Sequence, residues 1–227
     1  MAKTYKVTYK PYFNERIKPV RFQGKDVHPL YMQVTFDRKS IFFKSYYFDL
    51  FSRPKYAELE TSIEQIKEQE SRLIEYIVDK HTDTFSLDQF AQEYKYLATD
   101  LLDPMDERFK DYLVDFFMDE GISSYAGMVR AIYESLTAMQ IIGTFKKSFK
   151  PELYDKMIEN AIYLAPPYIP LVAFIQQQHP TGLISFPVFE WRQPGTAAAL
   201  EKFLSTSFPE YKITEVKKSI ERYIERI

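Results

Sequence analysis

Leu30-Tyr31-Met32-Gln33-Val34-Thr35-Phe36 alternates along its whole length. Leu30, Met32, Val34 and Phe36 fall on one side of an extended chain and Tyr31, Gln33 and Thr35 on the other, because successive strand side chains point to opposite faces. Such a run needs partner strands. Residues 5–10 (YKVTYK), rich in aromatic and β-branched types, and the short Val20–Phe22 are read as two of them. Residues 40–44 (SIFFK) are read as the return strand after a turn at Asp37-Arg38-Lys39, which lacks the glycine of the strongest hairpins. The result is a small antiparallel sheet, one face packed and one wet.

From residue 57 the period changes to that of helices. Over residues 58–80 the apolar positions Leu59, Ile63, Ile66, Leu73 and Ile77 follow a heptad stripe with Glu70 at the one skipped position. Ser86-Leu87-Asp88-Gln89 is a capping-box pattern that opens a helix with Phe90, Tyr94 and Leu97 inward. Asp103-Pro104 is read as the cap and first residue of another, running to Gly121, with Phe109, Tyr112, Leu113, Phe116 and Phe117 on a broad apolar face. Further helices are expected over residues 123–143, Pro151–Leu164, 196–208 and 213–227. Residues 165–195 read as irregular and proline-rich, with one strand at 184–191 that Pro187 confines to an edge or bulge. The expected fold class is α+β, a small N-terminal antiparallel sheet followed by a mostly helical body. Its expected segments are a basic sheet domain at 1–56, a helical domain at 57–165, and a proline-rich stretch with the last helices at 166–227.

The 227 residues hold 45% hydrophobic and 27% charged side chains, an ordinary globular balance, but 17% are aromatic. Cysteine is absent, which excludes disulfide scaffolds, cysteine–zinc sites and cysteine nucleophiles. The most apolar window, 161–175, is interrupted by Pro166, Pro167 and Pro170 and is too short to span a bilayer, so no membrane association is expected. The net charge of −2 conceals an uneven distribution: +8 over residues 1–56, −12 over 57–120 and +2 over 121–227. Asymmetry of this kind points to a polyanion, to an oppositely charged partner, or to segments that face each other.

The run Pro29-Leu30-Tyr31-Met32-Gln33-Val34-Thr35-Phe36-Asp37-Arg38-Lys39-Ser40-Ile41-Phe42, followed by a long helix and by Phe85-Ser86-Leu87-Asp88-Gln89-Phe90, resembles the N-terminal arm-binding region of tyrosine recombinases and phage integrases of the Bacteroidetes type. The resemblance covers about residues 1–100. It implies a three-stranded DNA-binding sheet. Those enzymes also carry a late His-x-x-Arg motif and a tyrosine nucleophile. Here the histidines are His28, His81 and His179, and none begins His-x-x-Arg. The catalytic half is therefore expected to be absent.

Other chemistry finds little purchase. Six dispersed glycines make no phosphate loop, and no Gly-x-Ser-x-Gly elbow occurs. Asp103, Asp106, Glu107 and Asp111 gather at one helix start, where acids are ordinary dipole partners, and no metal is assigned to them. No catalytic residue, cofactor or metal is expected. The binding candidates are Arg16, Lys18, Arg21, Lys25, Arg38, Lys39 and Lys44, on or beside the strands and turns of a sheet able to lie in a DNA groove. Ile213, Val216, Ile220, Tyr223 and Ile227, spaced 3,4,3,4 on the last helix, are the candidate oligomer interface. The expected function is non-catalytic DNA binding of the mobile-element or phage kind. The alternative is a virion structural component (head–tail connector, neck or tail assembly) that packs against itself or other phage proteins. The expected location is a bacterial cytoplasm or a virion.

Overall fold

The computed structural model describes residues 6–227. The chain divides into two compact units, one up to Thr99 and one from Asp100 onward. The fold is α+β, with all strands in the first unit. Among the described residues no single helix is long and apolar enough to cross a membrane.

The first unit contains strands β1 (Thr8–Phe13), β2 (Val20–Phe22), β3 (Lys25–Val27), β4 (Leu30–Phe36) and β5 (Lys39–Lys44), then helices α1 (Tyr46–Phe51), α2 (Ile63–Lys80) and α3 (Leu87–Ala98). The main sheet is antiparallel in the order β1-β4-β5, and β2 and β3 form a separate two-stranded ribbon. The alternation in β4 decides its orientation: Leu30, Met32 and Val34 are fully buried while Tyr31, Gln33 and Thr35 are half-buried on the other side. Beneath the packed face, Phe43 meets Tyr94 of α3 with ring centroids 4.3 Å apart, Phe36 meets Phe85 at 5.0 Å, and Phe22 stacks on Phe48 at 5.1 Å.

Several expectations need correction. The first strand lies at 8–13, paired with β4 from Thr8↔Thr35 to Phe13↔Leu30, and Pro11 is tolerated because β1 is an edge strand. Tyr5, part of the expected strand, lies outside the described residues. The turn is two residues, Asp37-Arg38, both at positive φ (46° and 65°), and Lys39 already pairs with Phe36. That is the backbone twist of a tight hairpin, reached without glycine. Leu59 precedes α2, which starts at Ile63 because Ser62 and Gln65 form a complete capping box. At Ser86 only half the box forms: its hydroxyl accepts from the Gln89 amide, but the Gln89 side chain turns to His81. The first unit extends to Thr99 rather than to residue 56, since α2 and α3 cover the sheet's apolar face.

The skipped heptad position is the centre of this unit. Glu70 is fully buried. Its carboxylate accepts from Ser45 Oγ at 2.6 Å and from Tyr94 OH at 2.8 Å, and the Tyr47 amide lies at 3.5 Å. Burial pushes the carboxyl up to about 7, against the pull of those donors.

The second unit is entirely helical: α4 (Leu102–Asp119), α5 (Ser123–Ile132), α6 (Ala138–Ser148), α7 (Pro151–Leu164), α8 (Tyr168–Gln178), α9 (Val188–Trp191), α10 (Thr196–Ser207) and α11 (Ile213–Ile224). Asp103 is not the cap of α4. Asp100 accepts from the Asp103 amide at 2.7 Å, and its other oxygen takes Ser185 Oγ at 2.6 Å and the Phe186 amide at 2.7 Å. This carboxyl is buried and raised to about 6 by desolvation. The expected strand at 184–191 shrinks to one bridge, Asp100↔Pro187, before the short α9. Residues 123–143 are two helices, because Thr137 and Gln140 build a second capping box. The proline-rich stretch contains α8, with Pro170 in the first turn where its missing N–H costs nothing. The boundary expected near 165 therefore falls inside this unit. In α4, Lys110 and Asp106 form a buried ion pair (2.8 Å; 0% and 1% exposed), Lys110 also donates to the Tyr133 carbonyl, and Asp106 accepts from the Ala138 amide.

Two outcomes follow. A carboxyl raised in the folded state binds its proton more tightly folded than unfolded. The stability of Glu70 and Asp100 is thus fully present below their unfolded value near 4.5 or 3.8 and is lost as pH rises to about 7 and about 6. Thermal midpoints of the full chain should fall between pH 5 and pH 8, and Glu70→Gln should flatten part of that fall. An identical pH profile in the variant would remove Glu70 as its source. Lys110→Met leaves Asp106 buried without its cation and should cost about 3–5 kcal/mol in urea unfolding, much of it recovered by adding Asp106→Asn.

Candidate nucleic-acid interface

The register sets what the sheet shows to solvent. Its open face carries three rows across β1, β4 and β5: Thr8–Thr35–Ser40, Lys10–Gln33–Phe42 and Tyr12–Tyr31–Lys44. Phe42 is 58% exposed. Tyr12 lies 5.9 Å from Tyr31 and edge-on to Phe42 at 6.3 Å, so the three rings form one patch. Beside them Gln33 donates to Ser40 Oγ at 3.1 Å, and Thr35 and Ser40 share a hydrogen bond at 2.7 Å. Lys10 and Arg16 flank a shallow cleft next to this patch.

All seven basic candidates are exposed. Arg38 and Lys39 sit at the hairpin tip, at one end of β4. Arg16 and Lys44 sit at the other end, about 20 Å away at ~3.3 Å per strand residue. Arg21 and Lys25 belong to the β2–β3 ribbon, and Lys18 to the loop before it. Arg21 approaches Asp26 at 3.7 Å, both exposed, and Lys44 pairs with Asp49. Exposed pairs of this kind are weak and leave a cation available to a stronger anion. Lys18, Lys25, Arg38 and Lys39 have no ion pair among the described residues.

Lys10, Tyr12, Tyr31 and Phe42 were not among the candidates. The signal for Tyr31 was the β4 alternation itself. The positions on β1 and β5 needed the register, which sequence does not carry.

The other candidates are dispersed. Val216 and Ile220 are buried within the second unit, together with Ile224, so the stripe of α11 runs at steps of four. Ile213 and Tyr223 are half-buried, and Ile227, beyond the end of the helix, is 51% exposed. Only these three remain within reach of a partner. Of the acids at the start of α4, Asp106 is held by Lys110, and Asp111 by Arg108 and the Tyr133 hydroxyl. His28 holds the Ile17 carbonyl at 2.8 Å, and His81 contacts Glu93 and Gln89.

Arg38 has two separable roles. Its left-handed backbone costs an L-residue about 1–2 kcal/mol, against the ~0.5–1 kcal/mol of chain entropy that glycine adds. Arg38→Gly should therefore raise stability by about 0.5–1 kcal/mol in urea unfolding while removing one cation; lowered stability would show that the arginine side chain holds the turn. Comparison of the chain with family models, with curated proteins and with solved structures gives no match.

Proposed function

We propose that this chain is a non-catalytic DNA-binding protein of the mobile-element kind, which meets the duplex with the open face of its β1-β4-β5 sheet. The observation that carries the reading is the pattern on that face: an aromatic patch of exposed Phe42 with half-buried Tyr12 and Tyr31, and hydrogen-bonding Gln33, bracketed at both ends by exposed cations. Cations fix a protein on phosphates without reading sequence. Amides and hydroxyls on a β surface are suited to base edges. The resemblance of residues 1–100 to the arm-binding region of tyrosine recombinases supports the same use of the sheet.

The test is fluorescence anisotropy of the full chain with a labelled duplex at several salt concentrations. Binding should weaken as salt rises, with log K linear in log salt. Arg38→Ala with Lys39→Ala should weaken it and reduce the slope by roughly 2. Phe42→Ala should weaken binding with the slope unchanged. No binding at low salt, or a slope indifferent to the double change, removes the reading.

A second reading, a subunit of a virion or similar assembly, is favoured by one observation. Tyr163 and Leu164 at the end of α7 are adjacent and exposed, at 78% and 72%. Light scattering after size exclusion should then show an oligomer that Leu164→Asp dissociates. A monomer at all concentrations removes this reading.

A further inference from the structure

The free edge of the main sheet opens onto a groove on its packed side. The order β1-β4-β5 leaves β5 with one unpaired side. The two-residue turn makes Phe36↔Lys39 the first pair that exchanges hydrogen bonds, and every second pair follows. The Ser45 amide bonding the Leu30 carbonyl at 2.9 Å fixes the same phase. The amides and carbonyls of Ser40, Phe42 and Lys44 therefore point away from β4 toward the open edge. A row of such groups is a template for another strand.

What lies beside that edge distinguishes it from an ordinary one. Helix α3 passes under the packed face and continues past β5. Ile41 and Phe43 belong to the packed face by register, yet both stay half-exposed. The space next to them is a groove of about 610 Å³, walled by Tyr94 and kept open by the small, exposed Ala91. An edge strand over a helix, with an apolar trough between them, is the geometry by which sheets take up extended peptides: main-chain bonds hold the peptide and alternate side chains enter the trough.

Charge identifies the occupant. In the lining of the groove, Lys44 and Lys95 stand against one carboxylate, Asp49, which Lys44 already pairs. A second copy of β5 would bring lysines toward lysines. We propose that the β5 edge and α3 bind an extended acidic peptide segment of a partner protein as an added strand, with apolar side chains at alternate positions seated over Ala91 beside Ile41 and Phe43. The proposal goes beyond the DNA reading, because it uses the edge and the packed side of the sheet rather than its open face.

The test uses the full chain and three fluorescein-labelled decapeptides: alternating glutamate and valine, the same with lysine for glutamate, and the glutamate peptide N-methylated at every second residue. The glutamate peptide should bind saturably and slow hydrogen exchange at the Phe42 and Lys44 amides. The other two should bind at least about tenfold more weakly, one through charge and one through lost main-chain bonds. Ala91→Trp, at an exposed helix position, should weaken the glutamate peptide by a similar factor while thermal midpoint and duplex binding stay as in the parent. Absence of saturable binding, equal binding of the N-methylated peptide, or an indifferent Ala91→Trp overturns the proposal. Protection of the Phe42 and Lys44 amides by duplex DNA in place of the peptide also overturns it, by assigning the edge to nucleic acid. Loss of DNA binding in the earlier test leaves this outcome untouched.

Discussion

A buried carboxylate met by two hydroxyls and a backbone amide holds the first unit together. Charged or neutral, a group taken out of water must have its lone pairs met. Glu70 therefore dictates where Ser45, Tyr47 and Tyr94 stand. Ser45 is bound twice over: its hydroxyl donates to Glu70 and accepts from the Phe48 amide as the cap of α1. The chain must consequently leave β5 and enter α1 at that residue. Tyr94 fixes α3 at the same depth, and the spacing of α3 from β5, hence the trough between them, follows. Asp100 plays the same part in the second unit, where one carboxylate caps α4 and gathers Ser185 and Phe186 from far along the chain.

The open face of the sheet is a consequence of the packed one. Once Leu30, Met32 and Val34 are committed to the core, the odd-numbered residues of β4 have nowhere else to go. A slip of one residue would exchange the two sets, so the buried side chains protect the arrangement of the exposed ones. The rings of Tyr12, Tyr31 and Phe42 come together only because β1 and β5 flank β4 in this register. Aromatic side chains left on a wet face lose the burial that usually accounts for them, which makes this patch informative where the many buried rings are not.

Reading by period recovered what period encodes. The alternation of β4, the helix at Pro151–Leu164, and the apolar face of α4 were all legible, and the α+β class with them. The failures have physical causes. Glu70 was seen only as a gap in a heptad, because polar residues carry no sign in the sequence that donors from other elements will meet them. The strand expected at 184–191 has strand composition, but Pro187 leaves one bridge and starts a helical turn. Asp103-Pro104 looked like a cap because the true cap, Asp100, is recognised by contacts with residues 85 positions away and more. The basic candidates were visible as composition. The aromatic half of the same surface was not, since it depends on register across three strands.

Charge within the first unit bears on how a pI near 6.0 fits the polyanion binding proposed for the open face. Residues 57–99 hold 10 acids against 4 bases, a net −6 that follows the +8 of residues 1–56. Half of those acids, Glu64, Glu68, Glu75 and Asp79 on α2 and Asp88 on α3, lie at exposed positions of the helices that cover the packed face, on the side of the sheet opposite its open-face cations. Direct links cross the layer only at points such as the Tyr9 hydroxyl on Glu75. A helix is about 10–12 Å thick with its side chains, while the Debye length is about 8 Å at physiological ionic strength. An anion at the open face is thus screened from the acids beyond the helices and feels chiefly the nearby lysines and arginines. An anion arriving from the side of α2, where Glu64, Glu68, Glu75 and Asp79 are exposed, is repelled. The near-zero net charge of the chain measures neither encounter; it conceals a polarity that would orient a polyanion against the sheet before any specific contact forms.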